Sequence, residues 1–246
     1  MPETRSSGPA RAHHVCACFA VAVGLSSLAP PAAAHDYWIE RSGDGYTLFQ
    51  GHVYSSHKGE ERVPYDPTIV KRVACARAEG DIATPEPARV YPVRVSARCS
   101  AVLIEVSSGY WTQTLTETIQ KPKTEVRGAL RGWRSEEAVK RIDVWTPRLA
   151  QPLSDGLELM PREDPFGLKP GDKLRLLVTW RGRPRRGVAV AYDGNARGVT
   201  GADGQANILI RHGGVQTLSA SFEEAVQDPL AEKVVRGTIL QLELAK

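Results

Sequence analysis

The chain has 246 residues, with 32 Lys and Arg, 28 Asp and Glu, six His, a formal net charge of +4 and 41% hydrophobic residues. That length supports one large or two small domains with real cores. Charges so evenly balanced, with the basic residues dispersed, give no footing for a nucleic-acid partner.

Arg5 and Arg11 stand in a polar head, Val15 to Leu28 form an apolar stretch of 14 residues, and Ala32-Ala33-Ala34 supplies the small residues that signal peptidase needs. The stretch is short for spanning the roughly 30 Å hydrocarbon layer, which takes about 20 residues of helix. Residues 1–34 therefore read as a cleaved secretory signal peptide, and the mature, periplasmic chain is expected to begin at His35 with no direct membrane insertion. Cys16 and Cys18 lie near the start of the apolar stretch rather than at its end, which argues against lipoprotein cleavage before either. Glu3 is the only acid in the leader, so 30 basic and 27 acidic side chains remain after it.

The mature chain keeps no long helical period. "DYWIE", "YTLFQGHVY", "TIVKRVACA", "ARVYPVRVSA" and "AVLIEVSSGYWTQTL" carry β-branched and aromatic residues between turn signals and predict a first antiparallel sandwich over 35–156. Lys121 to Val144 is the exception, because "EEAVKRIDVW" fits either a short helix or a strap crossing that sandwich. Pro147, Pro152, Ser154, Asp155 and Gly156 mark a boundary near Gly156. Beyond it, "DKLRLLVTW", "GVAVAY", "QANILIRH", "QTLSASF" and "TILQLEL" alternate apolar and polar residues between Pro-Gly-Asp, Asp-Gly and Gly-Gly turns, and predict a second sandwich over 157–246. The run "RGRPRRG", Arg181 to Gly187, has the composition of a patch for an anionic surface, but it sits between two strands at hairpin length and reads rather as a solvated loop.

Cys75 and Cys99 are the only cysteines left after the leader, and an even pair in an oxidising compartment predicts a disulfide. No GxSxG, HExxH, P-loop or dinucleotide fingerprint occurs, so a catalytic role has little support and a non-enzyme is expected. The histidines after the leader are His35, His52, His57 and His212, three of them close to the expected N-terminus. A hairpin over the Ser42-Gly43-Asp44-Gly45 loop pairs residues whose numbers sum to 87, which sets His35 directly opposite His52. A tighter turn at Asp44-Gly45 pairs Tyr37 with His52 instead and keeps both histidines on one face. In either register two imidazoles and one α-amine converge, a donor set that favours late first-row metals. His57 in the following loop is a further candidate ligand, and Asp36 a candidate oxygen donor or ring-orienting partner. His212 extends the Ile208/Ile210 face and is expected to be a core or interface histidine.

"AHDYWIE…YTLFQGH", "SGYWTQT…KPKTEV" and "LELMPREDPFGLKPGDKLRLLVTWRGRPRRGVAVAY…GADGQANILIRHGGVQTLSASF" together resemble the NikM-like periplasmic family, catalogued as a domain of unknown function and associated with nickel and cobalt uptake. The resemblance covers nearly all of the mature chain. It implies Ig-like or prealbumin-like sandwiches, a nickel or cobalt ion (with copper as an alternative), and delivery to membrane metal transporter components. His35 and His52 are the positions onto which the family pattern carries; the C-terminal strand has Arg236 and no histidine, which argues against a ligand from that end. Two other functions compete: a copper redox enzyme built on an N-terminal histidine brace, and an adhesion or scaffold module in which the histidines bind no metal.

Overall fold

The computed structural model describes residues 36–51 and 62–246. His35, His52, His57 and the leader lie outside the described residues.

The first strands are β1 (Asp36–Ser42), β2 (Gly45–Gly51), β3 (Val70–Ala76), β4 (Ile82–Ala83), β5 (Arg94–Ser96), β6 (Ala101–Gln113), β7 (Thr118–Ile119) and β8 (Arg131–Ile142). They are followed by β9 (Glu158–Pro161), β10 (Lys173–Trp180), β11 (Arg183–Pro184), β12 (Ala189–Tyr192), β13 (Asn195–Val199), β14 (Gln205–Leu209), β15 (Gly214–Asp228) and β16 (Ala231–Leu244). Three short 3-10 turns are the only helical pieces among the described residues.

The strands build three layers. A nine-stranded sheet runs β13-β12-β15-β16-β8-β6-β3-β4, with β7 added to β6, and lies between a three-stranded sheet (β1-β2-β5) and a four-stranded one (β11-β10-β14, with β9 on β10). Alternation sends each side chain of the middle sheet to one of two cores. Val102, Ile104 and Val106 of β6 pack with Tyr37, Ile39, Tyr46 and Leu48 beneath the small sheet. Ala101 and Leu103 pack on the other side with Leu159, Leu174, Leu176 and Val178.

The all-β, sandwich-like architecture expected from the alternating runs is present, but the sheet does not break near Gly156. β8, before that point, pairs in parallel with β16, after it, from Lys233↔Trp133 to Leu242↔Ile142. Residues 35–246 form one compact unit. The two cores are therefore stacked on opposite faces of one shared sheet rather than held in two consecutive domains, and one pairing inside that sheet is parallel.

β8 also corrects the expectation of a helix or strap over 121–144. With both faces covered, its side chains show no simple apolar alternation, and its charges are met one by one. Lys140 donates to Glu158 Oε1 at 2.8 Å with side-chain exposures of 1% and 0%, while the other Glu158 oxygen accepts the amides of Leu153 (2.9 Å) and Ser154 (3.1 Å). Arg141 Nε donates to Asp143 at 2.8 Å. Cys75 and Cys99 are joined in a disulfide with Cα atoms 5.3 Å apart, tying β3 to the segment just before β6.

Candidate functional site

The β1/β2 hairpin turns on Gly43 (φ +56°) and Asp44, and its pairs run from Ser42↔Gly45 to Asp36↔Gly51, each summing to 87. The first of the two registers open in the sequence is the one formed. Burial settles which face points inward: Tyr37 and Tyr46 are 2% exposed, Ile39 1% and Leu48 0%. The outer face carries Trp38 stacked on Phe49, with centroids 5.7 Å apart. Arg62 lies over Phe49 at 3.9 Å and pairs with Glu40 at 2.7 Å. The chain rejoins the hairpin end through an antiparallel bridge between Gly51 and Arg62 and through Val63 N donating to Gln50 O at 2.7 Å.

Two groups of the middle sheet support this hairpin. Gln241 Oε1 on β16 accepts the Ile39 amide at 2.7 Å. Glu137 on β8 lies close enough to Asp36 for their charges to oppose one another, while its own Oε1 accepts from Ser135 Oγ at 3.0 Å. Burial, reinforced by Asp36, pushes the Glu137 carboxyl up to about 7. The Tyr37 phenol is also raised, by burial first and then by Glu137. Gly237 on β16 makes room for the carboxylate, since a Cβ there would meet Glu137 Cγ at 3.0 Å. Asp36 itself is exposed and borders a small cleft of about 40 Å³ with Tyr37, Gly194 and Ser219.

Among the sequence-predicted site residues, the structure thus places Asp36 at the open end of the hairpin. Glu137, Gln241 and Gly237 are partners of that end not anticipated from the sequence. The signal for Glu137 was present in the Glu136-Glu137 doublet: in a strand, adjacent carboxylates point to opposite faces. Glu136 pairs with Arg236, and Glu137 faces the hairpin. Among the described residues no group of three or more His, Cys, Asp or Glu is arranged to hold a metal ion.

His212 is not a core residue. β14 ends at Leu209, and the chain turns outward before Gly213-Gly214, leaving the imidazole 46% exposed. It stacks on Tyr192 (5.7 Å, 15°). Nδ1 meets the Gly213 carbonyl and Nε2 the Asp193 carboxylate, each at 2.8 Å. The Gly213 carbonyl, then Asp193, holds its pKa above the ordinary histidine value. Two acceptors favour an imidazolium, which has no lone pair for a metal.

A cleft of about 410 Å³ opens beside the bulge of β6, where Val106 and Gly109 lose register. Arg236 closes one side of it. Its guanidinium pairs with Glu136 and with Glu224 (2.9 Å) and lies 4.3 Å from the Trp180 ring centroid. The position on the C-terminal strand that lacks a histidine is thus occupied by a neutralised arginine.

Fold and site define a layered all-β protein with Asp36 at the open end of its first hairpin. Residues 32–224 match the model of a family described as a domain of unknown function, DUF4198, and the chain belongs to that family. No curated protein matches it. No helix among the described residues is long and apolar enough to cross a membrane.

Proposed function

We propose that the protein is a NikM-like periplasmic metal-binding protein that takes up nickel or cobalt, with copper as the alternative ion, and hands it to a membrane transporter. The ion is cargo, and the donors are the α-amine and imidazole of a mature N-terminal His35 together with the imidazole of His52. The observation that carries the reading is the hairpin register. Seven described pairs sum to 87, as do 35 and 52, and directly opposed residues have Cβ atoms about 4.5–5.5 Å apart. The family match opens at residue 32, inside the small-residue cleavage signal. A deprotonated amine and neutral imidazoles suit divalent nickel, cobalt and copper, whose relative affinities follow the ion more than the protein. Asp36, next in sequence, adds an oxygen donor or orients a ring, and His57 is the remaining candidate.

The test is calorimetric titration of nickel, cobalt and copper(II) into protein beginning at His35 and into a variant with one extra N-terminal residue. The extra residue moves the amine out of the chelate and should weaken binding about as much as His35→Ala. His52→Ala should weaken binding as well, and His212→Ala should not. Affinity should fall in acid, because the ligands must be deprotonated. Equal affinity for the two N-termini would sink the reading.

A further inference from the structure

The loop expected to be solvated carries an array of guanidiniums without ion-pair partners among the described residues. Arg181, Arg183, Arg185 and Arg186 are all exposed, and none forms an ion pair with a described residue. Residues 35–246 hold 30 basic and 27 acidic side chains, so these four arginines alone exceed the whole basic surplus of that region. Arg181 and Gly182 both have positive φ (54° and 70°), the geometry of a tight two-residue hairpin turn between β10 and β11.

Its backbone is held at several points. Arg181 N donates to Asp155 O (3.0 Å), Arg185 N to Val178 O (2.9 Å) and Gly187 N to Thr200 O (3.0 Å), while Thr200 Oγ1 donates to Arg185 O at 2.7 Å. Gly204 sits so close beneath that a Cβ would lie 2.9 Å from both Arg185 N and Pro184 Cβ. Two of the four guanidiniums rest on aromatic rings, Arg181 on Trp180 (5.2 Å) and Arg185 on Phe222 (4.8 Å). An apolar residue, Val199, stands 63% exposed next to Thr200.

We propose that the Arg181–Arg186 turn is a docking surface for the anionic phospholipid headgroups of a bilayer. Guanidiniums bind phosphate oxygens through paired N–H donors. Four of them stand on an exposed turn whose backbone is already hydrogen-bonded, so the turn itself need not be ordered on meeting a surface of repeating phosphates. The exposed Val199 suits the headgroup boundary better than bulk water. This inference is independent of the metal reading, because nothing in it involves the β1/β2 hairpin.

The experiment is co-sedimentation of metal-free protein beginning at His35 with vesicles of neutral phosphatidylcholine and of an equal mixture with phosphatidylglycerol. The protein should bind the mixture, ignore the neutral vesicles and dissociate at high salt, where exposed charges are screened. Each basic residue near an anionic surface strengthens partitioning about fivefold, so the double variant Arg183→Gln, Arg186→Gln should bind roughly 30-fold more weakly. The control double variant Arg77→Gln, Arg98→Gln removes the same charge from exposed, ion-paired positions and should bind like the parent. Equal weakening by the two pairs would reduce the effect to net charge and overturn the proposal. So would displacement from the vesicles by inorganic phosphate at matched ionic strength, which would assign the turn to a free anion, or equally tight binding to soluble polyglutamate.

Discussion

Glu137 shows how a side chain can be legible in kind and illegible in place. Its partners are Ser135 two residues away, Asp36 a hundred residues earlier and the space left by Gly237 a hundred residues later. Only the first is visible in the local sequence. Its folded pKa, about 7, lies above the ordinary 4.5. The ionised form therefore opposes folding: the cost is absent below pH 4.5, grows as pH rises through 7 and is complete above it. Glu137→Gln should match the parent in urea unfolding at pH 4 and exceed it at pH 8 by about 3 kcal/mol at most. An equal difference at both pH values would show that the carboxylate is not the cause. His212 has the opposite sign. Its raised pKa contributes stability in full below the unfolded value near 6.5, and that contribution disappears as pH rises through the folded one. His212→Gln should lower the unfolding midpoint at pH 5 and leave it unchanged at pH 9, by a small amount because the ring is half exposed.

Elements with one covered face were readable from the sequence: β1, β10 and β14 largely keep the period of two that a half-buried strand requires. β8 did not, because it is central. Its charged residues are compensated by partners on β9, β16 and the following turn, which local sequence cannot supply. The Lys140–Glu158 pair is the sharpest example, joining the middle sheet to the four-stranded layer in a site closed to water. Lys140→Met should cost about 3–5 kcal/mol in urea unfolding, since it leaves a buried carboxylate without its countercharge. Adding Glu158→Gln should recover part of that loss. A cost under about 1 kcal/mol would mean that water reaches the pair. The β1/β2 register, by contrast, follows from a short local turn, which narrowed the pairing of the candidate donor positions to two registers, while Trp38 beside Phe49 left the inward face open until burial decided it.

At the scale of the molecule, the boundary expected at Gly156 marks a change of layer, and the nine-stranded sheet passes over it. Intact protein should unfold in a single transition, and a fragment of residues 35–156 should stay unfolded, because without β16 the Ala138 and Ile142 face of β8 loses Leu240, Leu242 and Leu244. Two separated transitions, or a folded fragment with dispersed amide resonances, would restore the picture of two consecutive domains. The disulfide acts on the same ensemble. Closing the loop between Cys75 and Cys99 should stabilise the fold by about 3 kcal/mol, seen as a drop in unfolding midpoint on reduction.

The parallel seam between β8 and β16 also sets a clock. Residues 231–244 come long after β8 in the chain, yet they fill a central slot, flanked by β8 on one side and β15 on the other. Until they emerge, β8 has an open edge and both cores lack a wall. Long-range pairing of this kind delays folding, because loop closure precedes any gain from the contacts it permits. A nascent chain with this topology cannot complete its middle sheet until β16 has been made, however early β8 and β6 emerge.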